Sequence, residues 1–221
     1  SDCVAACEAM EKPDKSRLAT CLYYLSRAHR SRGDFALQLE ALDRALTAAS
    51  AEAKDVTRLI VEWHKGVCLG FLGRHAQQLE LLERTTPALE AEFAHDVIWR
   101  AVVRGGLANA YAQCGLAAIA LEYCEQTLKI VGGAFAQHPR LANTWVARAA
   151  AKELLGDYSQ QDRALQTALV ALKAHPDDLP LVARVRSLRS VALRHLGRLS
   201  ESAELAQQAL QRKLDPLVWT R

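Results

Sequence analysis

In LLGDYSQQDRALQTAL, residues 154–169, a run of leucines stops at Gly156 and Asp157, and an apolar rhythm resumes at Tyr158 and continues through Leu165, Ala168 and Leu169. Spacings of three and four place these apolar residues on one face of a helix. A glycine that ends one helix in the left-handed conformation, followed by an acid that caps the next, predicts a tight corner between two helices. The pattern recurs along the chain. Alanine and leucine dominate, while most of the six prolines and eleven glycines fall between long helical stretches, which predicts an all-α fold.

The corners keep a steady register. Gly33, Gly73, Gly115, Gly156 and Gly197 are separated by 40, 42, 41 and 41 residues. Seven residues before each glycine stand Ser26, Gly66, Ala108, Ala149 and Ser190, and five before stand Ala28, Cys68, Ala110, Ala151 and Ala192. Twelve after come Ala45, Thr85, Thr127, Ala168 and Ala209, and thirteen after come Leu46, Thr86, Leu128, Leu169 and Leu210. Small residues let two helices approach, and the leucines fill the grooves beside them. Asp34 and Asp157 follow their glycines and are the expected caps. A repeat of helix, corner, helix is the expectation.

LSRAHRSRGDFALQLEALDRAL (25–46), LANAYAQCGLAAIALEYCEQTL (107–128) and ARAAAKELLGDYSQQDRALQTAL (147–169) resemble the tetratricopeptide repeat (TPR) family. Leu107, Ala108, Tyr111, Ala120, Tyr158 and Ala168 fall in its packing columns. The period exceeds the family's usual length of about 34, and Gln38, Gln78 and Gln161 replace its small residue early in the second helix. The longer repeat is similar to a variety found in bacterial sensor and regulator proteins. The resemblance implies a right-handed α-α superhelix, a TPR-like solenoid of about five helix-turn-helix repeats plus a leading helix. The chain reads as one repeat domain over 1–221, with the leading helix at 1–12 and repeats at about 14–50, 51–92, 94–134, 138–175 and 178–213. Residues 3–11 match the second helix of an earlier unit, and LVWTR after Asp215 and Pro216 begins something new. The expectation is therefore a fragment of a larger protein.

Composition narrows the function. The net charge of +3, from 28 basic and 25 acidic side chains, lacks the concentrated basic face that nucleic acid selects. No apolar run reaches the roughly 18–20 residues that span a bilayer. Ser1 is followed by no secretory signal pattern, and a cytoplasmic location is expected. Cys3, Cys7, Cys21, Cys68, Cys114 and Cys124 lie within helical stretches, as reduced, small packing residues do. Cys3 and Cys7 share a helical turn, but no second pair completes a zinc site. The seven histidines are scattered, and no P-loop, dinucleotide, HExxH or GxSxG motif occurs. Neither catalysis nor a cofactor is expected.

The resemblance implies that first helices line a concave groove. The columns thirteen, ten, six and three before each glycine form one helical face. They include Tyr23, Arg27 and Arg30; Trp63; Asn109; Asn143; and Arg184 and Arg194. Arg27 and Arg30, with Tyr23 and Trp63, could grip an acidic or aromatic peptide. The alternative is that the rings pack between units and the arginines only solvate a helix. In the family, an asparagine in the Asn109 column often hydrogen-bonds an extended peptide. Gly105 and Gly106 cost about 1 kcal/mol each in a helix interior, so a ligand or a neighbouring helix must come close there. The family's terminal-carboxylate clamp is not reproduced, and no chaperone partner is expected.

The resulting expectation is a non-enzymatic scaffold or sensory domain of a bacterial signalling or regulatory protein, binding a protein or peptide. Its own output domain, such as a diguanylate cyclase or DNA-binding domain, and a second copy of the chain are the other partners considered. A small-molecule receptor with a pocket near Trp63, His64 and Asn109 is the alternative class. Neither nucleic acid nor membrane is expected to bind this segment.

Overall fold

The structure is a computed structural model that describes residues 4–5, 15–49, 56–173 and 179–214. The predicted leading helix, apart from residues 4–5, and the segment from Asp215 lie outside the described residues. The rest is helical: α1 (Lys15–Arg32), α2 (Phe35–Ala48), α3 (Val56–Phe71), α4 (His75–Glu92), α5 (Val97–Gln113), α6 (Ala117–Val131), α7 (Ala142–Leu154), α8 (Tyr158–Leu172), α9 (Leu179–His195) and α10 (Leu199–Leu214). Two 3-10 turns, Gly133–Phe135 and Pro139–Leu141, lead into α7. No strand occurs among the described residues.

The five predicted corners share one geometry. Gly33, Gly73, Gly115, Gly156 and Gly197 have φ between 70° and 81°, a conformation that costs glycine least. At each, the amide after the glycine donates to a carbonyl five residues back, as Asp157 N does to Lys152 O and Arg74 N to Leu69 O, both at 2.9 Å. This closes the last turn of the first helix. Asp157 caps α8, accepting from Gln160 N at 3.1 Å. Asp34 departs from expectation: it makes no cap bond, and its carboxylate lies 4.0 Å from Arg32 Nε.

The chain divides into two compact units, Ser1–Val103 and Arg104–Arg221. In the first, α1 packs on α2, α2 on α3 and α3 on α4, around Leu22, Leu42, Ala45, Val61 and Cys68. In the second, α6 packs on α7, α7 on α8, α8 on α9 and α9 on α10, with Val146, Ala149, Leu165, Ala168, Val182 and Val185 at the centre. The small-residue columns explain the closeness. A Cβ on Gly66 would stand 2.7 Å from Leu82 Cδ2, and one on Gly70 would stand 2.5 Å from Gln78 Oε1. Gly105 is required in the same way: its Cβ would overlap Thr144 Oγ1, so a neighbouring helix supplies the close approach there. Ala28 and Leu210 depart from their columns, both being exposed.

Gln38, Gln78 and Gln161 are all buried. Long amides thus take the place of a small residue against the first helix. Gln161 Nε2 donates to Glu153 Oε2 at 2.9 Å, while in all three glutamines Oε1 has no hydrogen-bond partner.

Candidate functional site

On the first-helix face of the N-terminal unit, α1 places Tyr23, Arg27 and Arg30 at i, i+4 and i+7, and α3 places Trp63 and His64 beside them. Tyr23 Oη and His64 Nε2 hydrogen-bond at 2.9 Å, with ring centroids 5.1 Å apart. Trp63 meets the same imidazole edge-on at 5.1 Å. Trp63 is 2% exposed, and its Nε1 has no hydrogen-bond partner. It therefore backs His64 from inside the unit. Burial, aided by the charges of Arg30 and Arg27, pushes the His64 pKa down to about 3. The ring is neutral at physiological pH, and the positive potential comes from the arginines. Arg27 is exposed, whereas the Arg30 guanidinium lies 5.6 Å from the Phe71 ring centroid.

The C-terminal unit carries Asn109 on α5, Asn143 on α7, and Arg184 and Arg194 on α9. Asn109 is half-buried, and its Oδ1 is buried without a hydrogen-bond partner. Asn143 is half-buried and Arg194 exposed. Burial lowers the pKa of Arg184. The structure thus joins Tyr23, Trp63 and the two α1 arginines around His64. The other four residues stand on three separate helices.

Sequence reading missed a charge network in the C-terminal unit. Asp162 on α8 accepts from Arg189 Nε at 2.6 Å and from Arg198 Nη1 at 3.2 Å. Arg198 also grips Glu201 with two bonds, at 2.7 and 2.6 Å. The available signal was α9 itself, which carries four arginines and no acid.

Two open grooves lie in the N-terminal unit. One, of about 680 Å³, runs between α1 and α2 past Leu18, Leu22 and Leu39. The other, of about 320 Å³, is lined by the Asp43–Lys65 pair together with Arg74, Glu80 and Arg84. Neither includes Tyr23, Trp63 or His64. Burial raises the Cys68 and Cys124 thiols to about 11 and about 12, so both are protonated at neutral pH. Among the described residues, no group of three His, Cys, Asp or Glu side chains could hold a metal. No described helix is long and apolar enough to cross a membrane.

Antiparallel helix pairs repeated about every 41 residues, each turned by a left-handed glycine, define an α-helical repeat solenoid. Known structures narrow the class to a TPR-like fold. A Podosopora anserina kinesin light chain protein with nearly identical TPR-like repeats is 21% identical, with a TM-score of 0.56 over 91% of this chain and 96% of that one. BtubC from P. vanneervenii is 16% identical, with a TM-score of 0.60 over 95% and 86%. A thermophilic TPR protein of Thermus thermophilus is 20% identical, with a TM-score of 0.57 over 90% and 93%. No family model and no curated relative matches the chain.

Proposed function

We propose that the chain is a non-enzymatic protein- or peptide-binding scaffold, or the sensory domain of a bacterial cytoplasmic signalling or regulatory protein, and that it binds through its first-helix faces. The resemblance to TPR proteins implies that those faces line a concave side. The observation that carries the reading is Asn109, whose carboxamide oxygen is buried with no partner. Leaving a buried acceptor unpaired costs about 1–3 kcal/mol, and a backbone N–H of an extended peptide is the donor that would satisfy it. Asn143, Arg184 and Arg194 extend the same unit's surface along α7 and α9. In the N-terminal unit the contact surface is Tyr23, Arg27 and Arg30, with His64 and Trp63 holding the tyrosine in place.

The test is an affinity capture with the chain and with Asn109→Ala/Arg27→Ala, followed by a titration of the captured protein or its peptides. The expected result is binding that the double variant weakens at least about tenfold, as the loss of a paired buried acceptor does, with circular dichroism unchanged and melting temperature not lowered. A large loss of stability would show the two residues to be packing. Stabilisation by a metabolite, with no protein captured, would move the chain to the small-molecule receptor class.

A further inference from the structure

In the C-terminal unit each corner, α5 to α6, α7 to α8 and α9 to α10, follows the first helix of a pair, and stacking of such repeats carries their corners to one end. Six apolar side chains crowd these three corners: Leu116 and Ile119, Leu154 and Leu155, and Leu196 and Leu199. They are 39–64% exposed. Scattered leucines on a surface are ordinary, but here they mark successive corners of one edge. The two corners of the N-terminal unit differ. Gly33 is flanked by Arg32 and Asp34, and Gly73 by Leu72, which is half-buried, and Arg74. Phe35 and Phe71, at equivalent places, stack on each other at 4.6 Å instead of facing solvent.

We propose that the Leu116–Leu154–Leu199 edge of the C-terminal unit is the contact surface for a second copy of this chain, in an antiparallel two-fold dimer centred on Leu154 and Leu155. Area supports this occupant. The six side chains expose on the order of 600 Å², the upper end of the largest apolar patch on a typical monomer. A standard-size interface buries about 800 Å² per partner, and in homodimers about 65% of the buried area is apolar, so the edge supplies the apolar share of a reversible dimer of that size. Charge supports it too. Lys152 lies 3.7 Å from Asp157, and Arg198 is bound to Asp162 and Glu201, so these charges beside the leucines are matched within the unit. Arg194 and His195 make one end of the edge basic, while residues 112–120 at the other end contain no charged side chain. Antiparallel pairing seats the basic end of each copy on the uncharged end of the other, so no like charges meet. A two-fold contact is self-complementary in this way, and it needs no oppositely charged partner.

The experiment is sedimentation equilibrium of the whole chain over a range of about 1 to 100 μM, alongside Leu154→Glu/Leu155→Glu and the control Leu37→Glu, an exposed leucine of α2. The expected result is a reversible monomer–dimer equilibrium whose dissociation constant rises at least ~100-fold in the double variant, as loss of central apolar contacts does. Leu37→Glu should leave it unchanged, and circular dichroism should show equal helicity in all three. A chain that stays monomeric throughout, or a dimer that survives Leu154→Glu/Leu155→Glu with helicity intact, overturns the proposal. If the double variant loses helicity, Leu155→Cys replaces it. Under mild oxidation it should give a covalent dimer that Leu37→Cys does not, and absence of that dimer overturns the proposal equally.

Discussion

Replacing Asp162 by alanine tests what holds the C-terminal unit together. The residue is 7% exposed, and its carboxylate uses one oxygen for Arg189 and the other for Arg198. The consequences for the two arginines differ. The Arg198 side chain is 44% exposed and keeps its two bonds to Glu201, so its share of the loss is the small one of a solvent-screened surface pair. The Arg189 side chain is 16% exposed and would be left as a largely buried cation without its bound carboxylate. Removing one member of a buried pair costs about 3–5 kcal/mol, and the partial exposure of Arg189 points to the lower end. The expected destabilisation is therefore about 3 kcal/mol. At roughly 2–4 °C per kcal/mol for a chain of this length, the melting transition should fall by about 6–12 °C. Urea titration followed by circular dichroism, with calorimetry to resolve the two units, measures it. Asp162→Leu combined with Arg189→Met should recover most of the loss, because an apolar pair of similar volume avoids the desolvation cost. A loss under about 1 kcal/mol, or a double variant no better than the single one, would refute the account of Arg189 as a dependent buried charge.

Two further outcomes follow from the packing and the titration of single groups. The folded-state pKa of His64 is pushed down to about 3 from an ordinary value of 6.5, so below pH 6.5 the unfolded chain binds a proton that the native chain refuses. Stability should be flat with respect to this group above pH 6.5 and fall as pH drops toward 3, by at most about 1.4 kcal/mol per unit; His64→Gln, compared by urea titration at about pH 7 and about pH 4.5, should remove that slope. Gly105→Ala should destabilise by about 1–3 kcal/mol through overlap with Thr144 Oγ1, and in a Thr144→Ala background the cost should shrink to that of the remaining 3.3 Å approaches to the Cβ and backbone N of residue 144, offset in part because alanine is the better helix former. A thermal-melt double-mutant cycle that came out additive would remove Thr144 as the cause.

The corners were readable from sequence because their cause is local. A φ of 70–81° favours glycine whatever the rest of the chain does, and the period of those glycines aligns the small columns on both sides. Ala108, Ala149 and Ala168 could be placed in the seam on that register alone, and all three are buried. Interactions between distant positions were not readable. Asp162 reaches partners 27 and 36 residues away, on a different helix and in the following corner, and nothing around Asp162 itself marks it as buried. Asp34 and Asp157 occupy the same register and each has a cation nearby, Arg32 and Lys152, but only Asp157 caps its helix, a difference of side-chain rotation that register does not carry. At the candidate site, register alone put Tyr23 and Trp63 on one face; that both contact His64 depends on side-chain rotation, and for Tyr23 on a partner 41 residues away.

Within each unit the helices pack on their neighbours in sequence. Such a chain has low contact order, so folding does not wait for its ends to meet, and local loops close quickly. The same layout also loosens the grammar by which the protein can change over time. A duplicated or deleted helix pair, joined at a glycine corner, meets the same two interfaces that it left. Length and reach can therefore vary by whole repeats while the chemistry of any one face stays as it was.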